Sequence, residues 1–276
     1  LVALKDAQAE ELLTAALSDD TAQVRAAARN ALASLRPEDA LPLLEGASLT
    51  GEQFERQAAL STLATLRVRG TNTVIAKALD QLLAGQTPDW ARLDVLEAAS
   101  KRAERRRGDD TLKEKLKEYE ARKPADQPLA AYQETLAGGN ADRGRKLFLE
   151  KSQLSCVRCH KVGDAGGDVG PVLTKIGGEK NREYLLESIV LPSKTIAKGF
   201  DTAVIVNDEG QIVSGIVKQE DEKELRLMTP EGKLLTIPKD TIEERSVGKS
   251  AMPEDLLKHL SKPELRDLVE FLSTLR

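Results

Sequence analysis

The chain has 276 residues and a net charge of −4. That length allows two domains with separate cores, and the near balance of charge weighs against a nucleic-acid binder or a polybasic membrane protein. No apolar run approaches the ~20 residues of a membrane-spanning helix.

Aromatic residues make up only 3%, while alanine and leucine are abundant, which favours helices packed through small residues. The opening Leu1-Val2-Ala3-Leu4-Lys5 lacks the charged region, apolar core and cleavage site of a secretory signal. Either a signal has been removed or the sequence is a segment of a longer protein.

Residues 1–120 read as one helix after another. Leu12, Leu13, Ala16 and Leu17, then Val24, Ala27, Ala28, Ala31, Leu32 and Leu35, recur at helical spacing. A weak repeat underlies them, since Arg25, Ala28, Leu32 and Leu35 align with Arg56, Ala59, Leu63 and Leu66 at a shift of 31. A poorer third copy starts at Trp90-Ala91-Arg92. The phrase Asp19-Asp20-Thr21-Ala22-Gln23-Val24-Arg25 before an alanine-rich helix resembles the second helix of a HEAT-type repeat. Such helix pairs bury their apolar faces only by stacking. A non-repetitive helical bundle is the competing expectation. The basic run from Lys101 to Arg107 is followed closely by Asp109 and Asp110, and reads as the solvated face of a helix rather than a nucleic-acid site.

Lys123-Pro124-Ala125-Asp126-Gln127-Pro128 and Gly138-Gly139-Asn140 break the helical pattern. The expected division is a helical repeat domain over 1–120, a connector over 121–139 and a second domain over 140–276. In the second, Asn140 can cap a helix whose inner face is Ala141, Gly144, Leu147 and Phe148. A glycine-rich loop spans 163–178. A further helix, about 181–191, carries Leu185, Leu186, Ile189 and Val190 and stops at Pro192. Residues 200–246 change to short β-type runs separated by Asp208-Glu209-Gly210 and Pro230-Glu231-Gly232, both hairpin signals. Ser261-Lys262-Pro263-Glu264 has capping-box spacing and opens a last helix with Leu265, Leu268, Val269 and Leu272 on one face.

The two cysteines lie within one pentapeptide, Cys156-Val157-Arg158-Cys159-His160, so a structural disulfide framework is excluded. CxxCH sets two thiols on a short helix, where they can add to the vinyl groups of haem, with the adjacent histidine beneath the iron. Cys156 and Cys159 are then the thioether residues and His160 the proximal ligand. A zinc site competes, but it wants four ligands, and the other histidine, His259, is about a hundred residues away. A redox dithiol also competes, although no thioredoxin-like βαβ pattern precedes it.

Around this pentapeptide stand Arg143-Gly144-Arg145-Lys146-Leu147-Phe148, Gly166-Gly167-Asp168-Val169-Gly170-Pro171, Tyr184-Leu185-Leu186-Glu187-Ser188-Ile189, Met252-Pro253-Glu254-Asp255-Leu256-Leu257 and the terminal Glu264 to Leu272. With these words residues 141–276, about half the chain, resemble the haem-binding cytochrome c domain typical of Planctomycetes and Verrucomicrobia. The resemblance implies a mainly α architecture: a class I-type cytochrome c domain, with a small β-sheet or barrel insertion at about 200–246, after the HEAT-like repeats. It implies that the first and last helices cross near the haem, with Gly144 close to Leu268 and Phe271. Simple fraying of the helix start is the plainer reading of Gly144. It further implies that the Pro171 carbonyl accepts from the proximal histidine, where a surface turn is the plainer reading of Gly170-Pro171.

For the sixth iron ligand the chain offers Met228, Met252 and His259. Met228 falls in a predicted strand, where core filling is simpler. Met252 lies in a loop before a helix, His259 on a short charged helix, and the resemblance also points to Met252. A His/Met pair leaves no open iron position and suits electron transfer. The expectation is one covalent haem c carrying electrons in the periplasm or an equivalent compartment, where haem c is matured. The resemblance adds that such domains often follow a dehydrogenase-like propeller, so the partner would be a redox protein or an upstream dehydrogenase domain. No catalytic residues of its own are visible. The alternatives are a haem sensor or peroxidase-like site with an open iron position, and a helical scaffold for protein partners.

Overall fold

Alanine-rich amphipathic stretches fold as helices through the first half of the chain. The computed structural model describes residues 7–105 and 110–276. One compact unit runs to Gly138 and a second from Gly139 to Arg276. In the first, α1 (Ala7–Ala16), α2 (Ala22–Leu35), α3 (Pro37–Thr50), α4 (Gln53–Thr65), α5 (Thr71–Leu83), α6 (Asp89–Ala103) and α7 (Asp110–Ala121) follow one another. Helices α2, α4 and α6 pack side by side, as do α3, α5 and α7, so alternate helices form two layers. Leu44, Leu60, Leu63, Ile75, Leu79 and Leu112 are fully buried between them.

The two arginines related by the 31-residue shift lie at corresponding places on α2 and α4 but differ in environment. Arg25 donates to the Asp19 and Asp20 carbonyls and pairs with Glu52 and Glu55 at 2.7 and 2.8 Å. Arg56 is buried, donates to Gln81 Oε1 at 3.1 Å, and its Nε has no partner among the described residues.

The basic run is not a uniformly solvated face. Arg102 is 8% exposed and donates to the Leu63 and Leu66 carbonyls at 3.3 and 2.6 Å. Arg105 donates to the carbonyls of Ala64 and Thr65. Both cations thus satisfy the open carbonyls at the C-terminus of α4, where the helix dipole also favours positive charge. Arg106, Arg107 and Asp109 lie outside the described residues, as does the N-terminal Leu1-Val2-Ala3-Leu4-Lys5.

The stretch after α7 folds with the first unit. A 3-10 helix at Pro128–Thr135 packs on α6 and buries Glu134, which accepts from Tyr119 Oη at 2.8 Å and pairs with Lys123 at 2.9 Å.

The second unit is organised by α8 (Ala141–Glu150) crossing α12 (Lys262–Thr274). Asn140 caps α8 by accepting from the Arg143 amide, and Ser261 with Glu264 closes a capping box on α12. At the crossing a Cβ on Gly144 would lie 1.9 Å from the Asp267 carbonyl oxygen and 2.7 Å from Phe271 Cβ. The nearest atoms therefore belong to Asp267 and Phe271. Phe148 and Phe271 bring their rings to 5.7 Å, a tilted aromatic pair beside the glycine contact. Between α8 and α12 come α9 (Cys156–Cys159), α10 (Ile176–Glu179) and α11 (Arg182–Val190).

The β segment forms one antiparallel sheet of β1 (Thr202–Asn207), β2 (Ile212–Glu220), β3 (Glu224–Met228), β4 (Leu234–Pro238) and β5 (Ile242–Val247). Its order is β4-β3-β2-β1-β5. Four strands run as a meander and the fifth returns to β1, leaving β4 and β5 as edges. The two end strands do not pair, so the segment is an open sheet and not a closed barrel. Ala203, Ile205, Leu225, Leu227 and Ile237 form its buried face.

Candidate functional site: an apolar cavity at the CxxCH helix

Ser155, with φ at +50°, turns the chain into the single helical turn of α9. Cys156 and Cys159 are separated by that turn, and the His160 amide closes it on the Cys156 carbonyl at 2.9 Å. Beyond α9 the glycine-rich loop folds back over it. The amides of Gly167, Gly170 and Leu173 donate to the carbonyls of Val157, Cys159 and Lys161 at 2.8–2.9 Å.

This loop fixes the imidazole. His160 Nδ1 lies 2.8 Å from the Pro171 carbonyl oxygen. A carbonyl only accepts, so Nδ1 carries the hydrogen and Nε2 keeps its lone pair. Gly170 packs against the same ring: a Cβ there would stand 2.8 Å from Cε1 and 3.0 Å from Nδ1. Burial pushes the His160 pKa down, only partly offset by the Pro171 contact. The ring is thus held neutral, oriented and with one nitrogen available, which is the state a metal-binding imidazole requires.

Cys156, Cys159, His160, Pro171 and Met252 all line one cavity. About 200 Å³ of it is open to the centre of a water molecule. Its walls are almost wholly carbon, drawn from the α-helices of the unit: Phe148 from α8, Ile176 from α10, Leu185 and Ile189 from α11, Leu268 and Leu272 from α12. The sheet adds Ile216, and Phe200 comes from the segment before β1. A concave, apolar space with a few convergent donor atoms is the general form of a cofactor pocket.

Both thiols are free. Burial pushes the Cys156 thiol up to about 11 and raises Cys159 as well. The pair is therefore protonated at neutral pH, whereas a redox dithiol needs an attacking sulfur of lowered pKa. Among the described residues no group of three or more His, Cys, Asp or Glu side chains is placed to hold a metal ion. A closed zinc site would need such a group. The donor set fits haem c better: two thiols on one turn, an oriented neutral imidazole, a thioether, and apolar walls for a flat ring system.

Of the other ligand candidates, Met228 ends β3, half-buried and paired with Ile216 and Leu234, and does not line the cavity. His259 is exposed on the 3-10 turn Leu256–His259 and does not line it either. Phe200 and Ile216 were not singled out from the sequence. Nothing local marks them, because one precedes a strand and the other alternates within one. No helix among the described residues is long and apolar enough to cross a membrane. Neither models of known protein families nor curated protein sequences match the chain.

Proposed function

We propose that residues 139–276 hold one haem c and transfer single electrons in the periplasm or an equivalent extracytoplasmic compartment. Cys156 and Cys159 would attach the haem by thioether bonds, and His160 and Met252 would ligate its iron. The observation that carries this reading is the Nδ1 contact of His160 with the Pro171 carbonyl, beside a carbon-walled cavity that both cysteines and Met252 share.

When bound, haem c supplies an iron that cycles between ferrous and ferric states. The chain's residues do the rest. Cys156 and Cys159 would each supply a thiol for addition across a vinyl group, sulfur to one carbon and hydrogen to the other, which needs no oxidant. His160 donates its Nδ1 hydrogen to Pro171, which raises the basicity of Nε2 and fixes the ring. Met252 offers a thioether to the cavity, which as a ligand would favour ferrous iron and leave no position open for a sensor or peroxidase role. Apolar side chains of α8, α10, α11 and α12 would exclude water from the bound group and so limit reorganisation on electron transfer.

The first unit we read as HEAT-like, on the two layers of alternate helices and the 31-residue shift. Stacked helix pairs of this kind present extended surfaces to partners. Together the units suit a redox module belonging to a larger dehydrogenase-like protein.

The test is covalent attachment. Made with a cytochrome c maturation system, the protein should be red and remain so after acid–acetone extraction. The Cys156→Ala, Cys159→Ala double variant should lose its haem to the organic phase. Extraction of haem from the wild type would defeat the proposal.

A further inference from the structure

Residues 248–253 carry Met252 from the end of β5 to the cavity with no regular structure of their own. A thioether on such a loop keeps its place only if the backbone is held from outside. Two side chains hold it.

From the sheet, Thr202 at the start of β1 is buried, and its hydroxyl donates to the Lys249 carbonyl at 2.5 Å. Alongside, the Gly248 amide donates to the Thr202 carbonyl at 3.0 Å. A Cβ on Gly248 would stand 2.6 Å from the Thr202 hydroxyl oxygen, so the glycine lets the two backbones meet. Thr202 pairs across the sheet with Ile216, which lines the cavity. The end of the sheet that grips the loop is therefore also the end that walls the cavity.

From the other side, Ser193 lies just beyond α11. Its hydroxyl accepts from the Ser250 amide at 3.2 Å and donates to Glu254 at 2.9 Å. The Ser250 hydroxyl in turn accepts from the Met252 amide at 3.2 Å.

We infer that the five-stranded sheet braces the Met252 loop, with Thr202 and Ser193 as positioning residues that keep the Met252 sulfur on the haem iron. This role rests on the haem reading above. It separates the brace from two other uses of the sheet, a shield for one haem edge and a docking face, in which the Thr202 hydroxyl would not affect ligation.

The test uses the holoprotein. Thr202→Val keeps the shape of the side chain but leaves the Lys249 carbonyl without its buried donor. The population with Met252 off the iron should rise about tenfold. Carbon monoxide binds only that population, so its binding to the ferrous protein should accelerate by the same about tenfold factor. The charge-transfer absorption of thioether-ligated ferric haem should weaken in step. Thr202→Ser, which keeps the donor, should restore near wild-type behaviour. Ser193→Ala should accelerate carbon monoxide by roughly threefold, and it carries the test if Thr202→Val fails to fold. Unchanged rates in Thr202→Val and Ser193→Ala, beside a fast Met252→Ala, overturn the brace and leave Met252 as ligand. A wild type that binds carbon monoxide as fast as Met252→Ala removes the ligand reading itself, and the brace with it.

Discussion

Gly144 and Asp267 meet backbone to backbone where α8 crosses α12, with 1.9 Å between the place of a Cβ and the Asp267 carbonyl oxygen. The same aspartate takes the Arg143 guanidinium at 2.6 Å and the Asn140 amide at 2.7 Å, so one residue secures both the start of α8 and the crossing. Gly144→Ala gains about 1 kcal/mol of helix propensity yet forces the helices apart, at about 3 kcal/mol for an overpacked contact. A net loss of about 2 kcal/mol is expected. Thermal unfolding of the second unit should show it, and an unchanged midpoint would mean the crossing relaxes freely.

Gly170→Ala addresses the imidazole. The new methyl would lie 2.8 Å from His160 Cε1, so the ring must turn and the Pro171 bond must break. On the proposed ligation, Nε2 without that bond would be a weaker donor to iron, and the ferric state would lose stabilisation. The midpoint potential of the holoprotein should therefore rise. A potential equal to that of the wild type would show that the Pro171 contact does not tune the site.

If Met252 ligates the iron as proposed, Met252→Ala should move the potential the opposite way, because a thioether favours ferrous iron. It should also open the iron to carbon monoxide, speeding binding by roughly two orders of magnitude. Met228→Ala and His259→Ala should do neither, since neither side chain lines the cavity. Ready carbon monoxide binding by the wild type would move the sensor and peroxidase-like readings ahead.

The helical unit should respond to acid through Glu55. Hydrogen bonding to the Arg25 guanidinium, with Arg29 adding to it, holds this carboxyl down at about 2 despite its burial. A carboxyl depressed on folding stabilises above its ordinary value near 4.5, and that contribution fades as pH falls from there through about 2. Glu55→Gln should cost about 2 kcal/mol at neutral pH by leaving Arg25 and Arg29 without their shared partner. Below pH 4.5 its unfolding midpoint should converge on that of the wild type. A constant gap down to acid pH would show that Glu55 acts by packing and not by charge.

What was legible in the sequence was local. The CxxCH turn, the Asn140 cap, the Ser261–Glu264 capping box and the glycines in two of the three hairpin turns, Gly210 and Gly232, all act within about four residues, so residue type and spacing suffice to read them. Helix in the first half and the runs of β1 to β4 were legible for the same reason, through apolar period, whereas β5, half charged and mostly exposed, was not.

Contacts across longer separations were decided only by the tertiary structure. Arg102 looks like one more charge in a basic run until α6 packs beside α4 and brings the Leu63 and Leu66 carbonyls within reach. Met228 and Met252 are chemically the same side chain, and only the path of the sheet decides which one lines the cavity with His160. Ser193 and Thr202 carry no signal in sequence at all. A hydroxyl has a role only through the group it reaches, and theirs lie 57 and 47 residues away, across the sheet that brings them together.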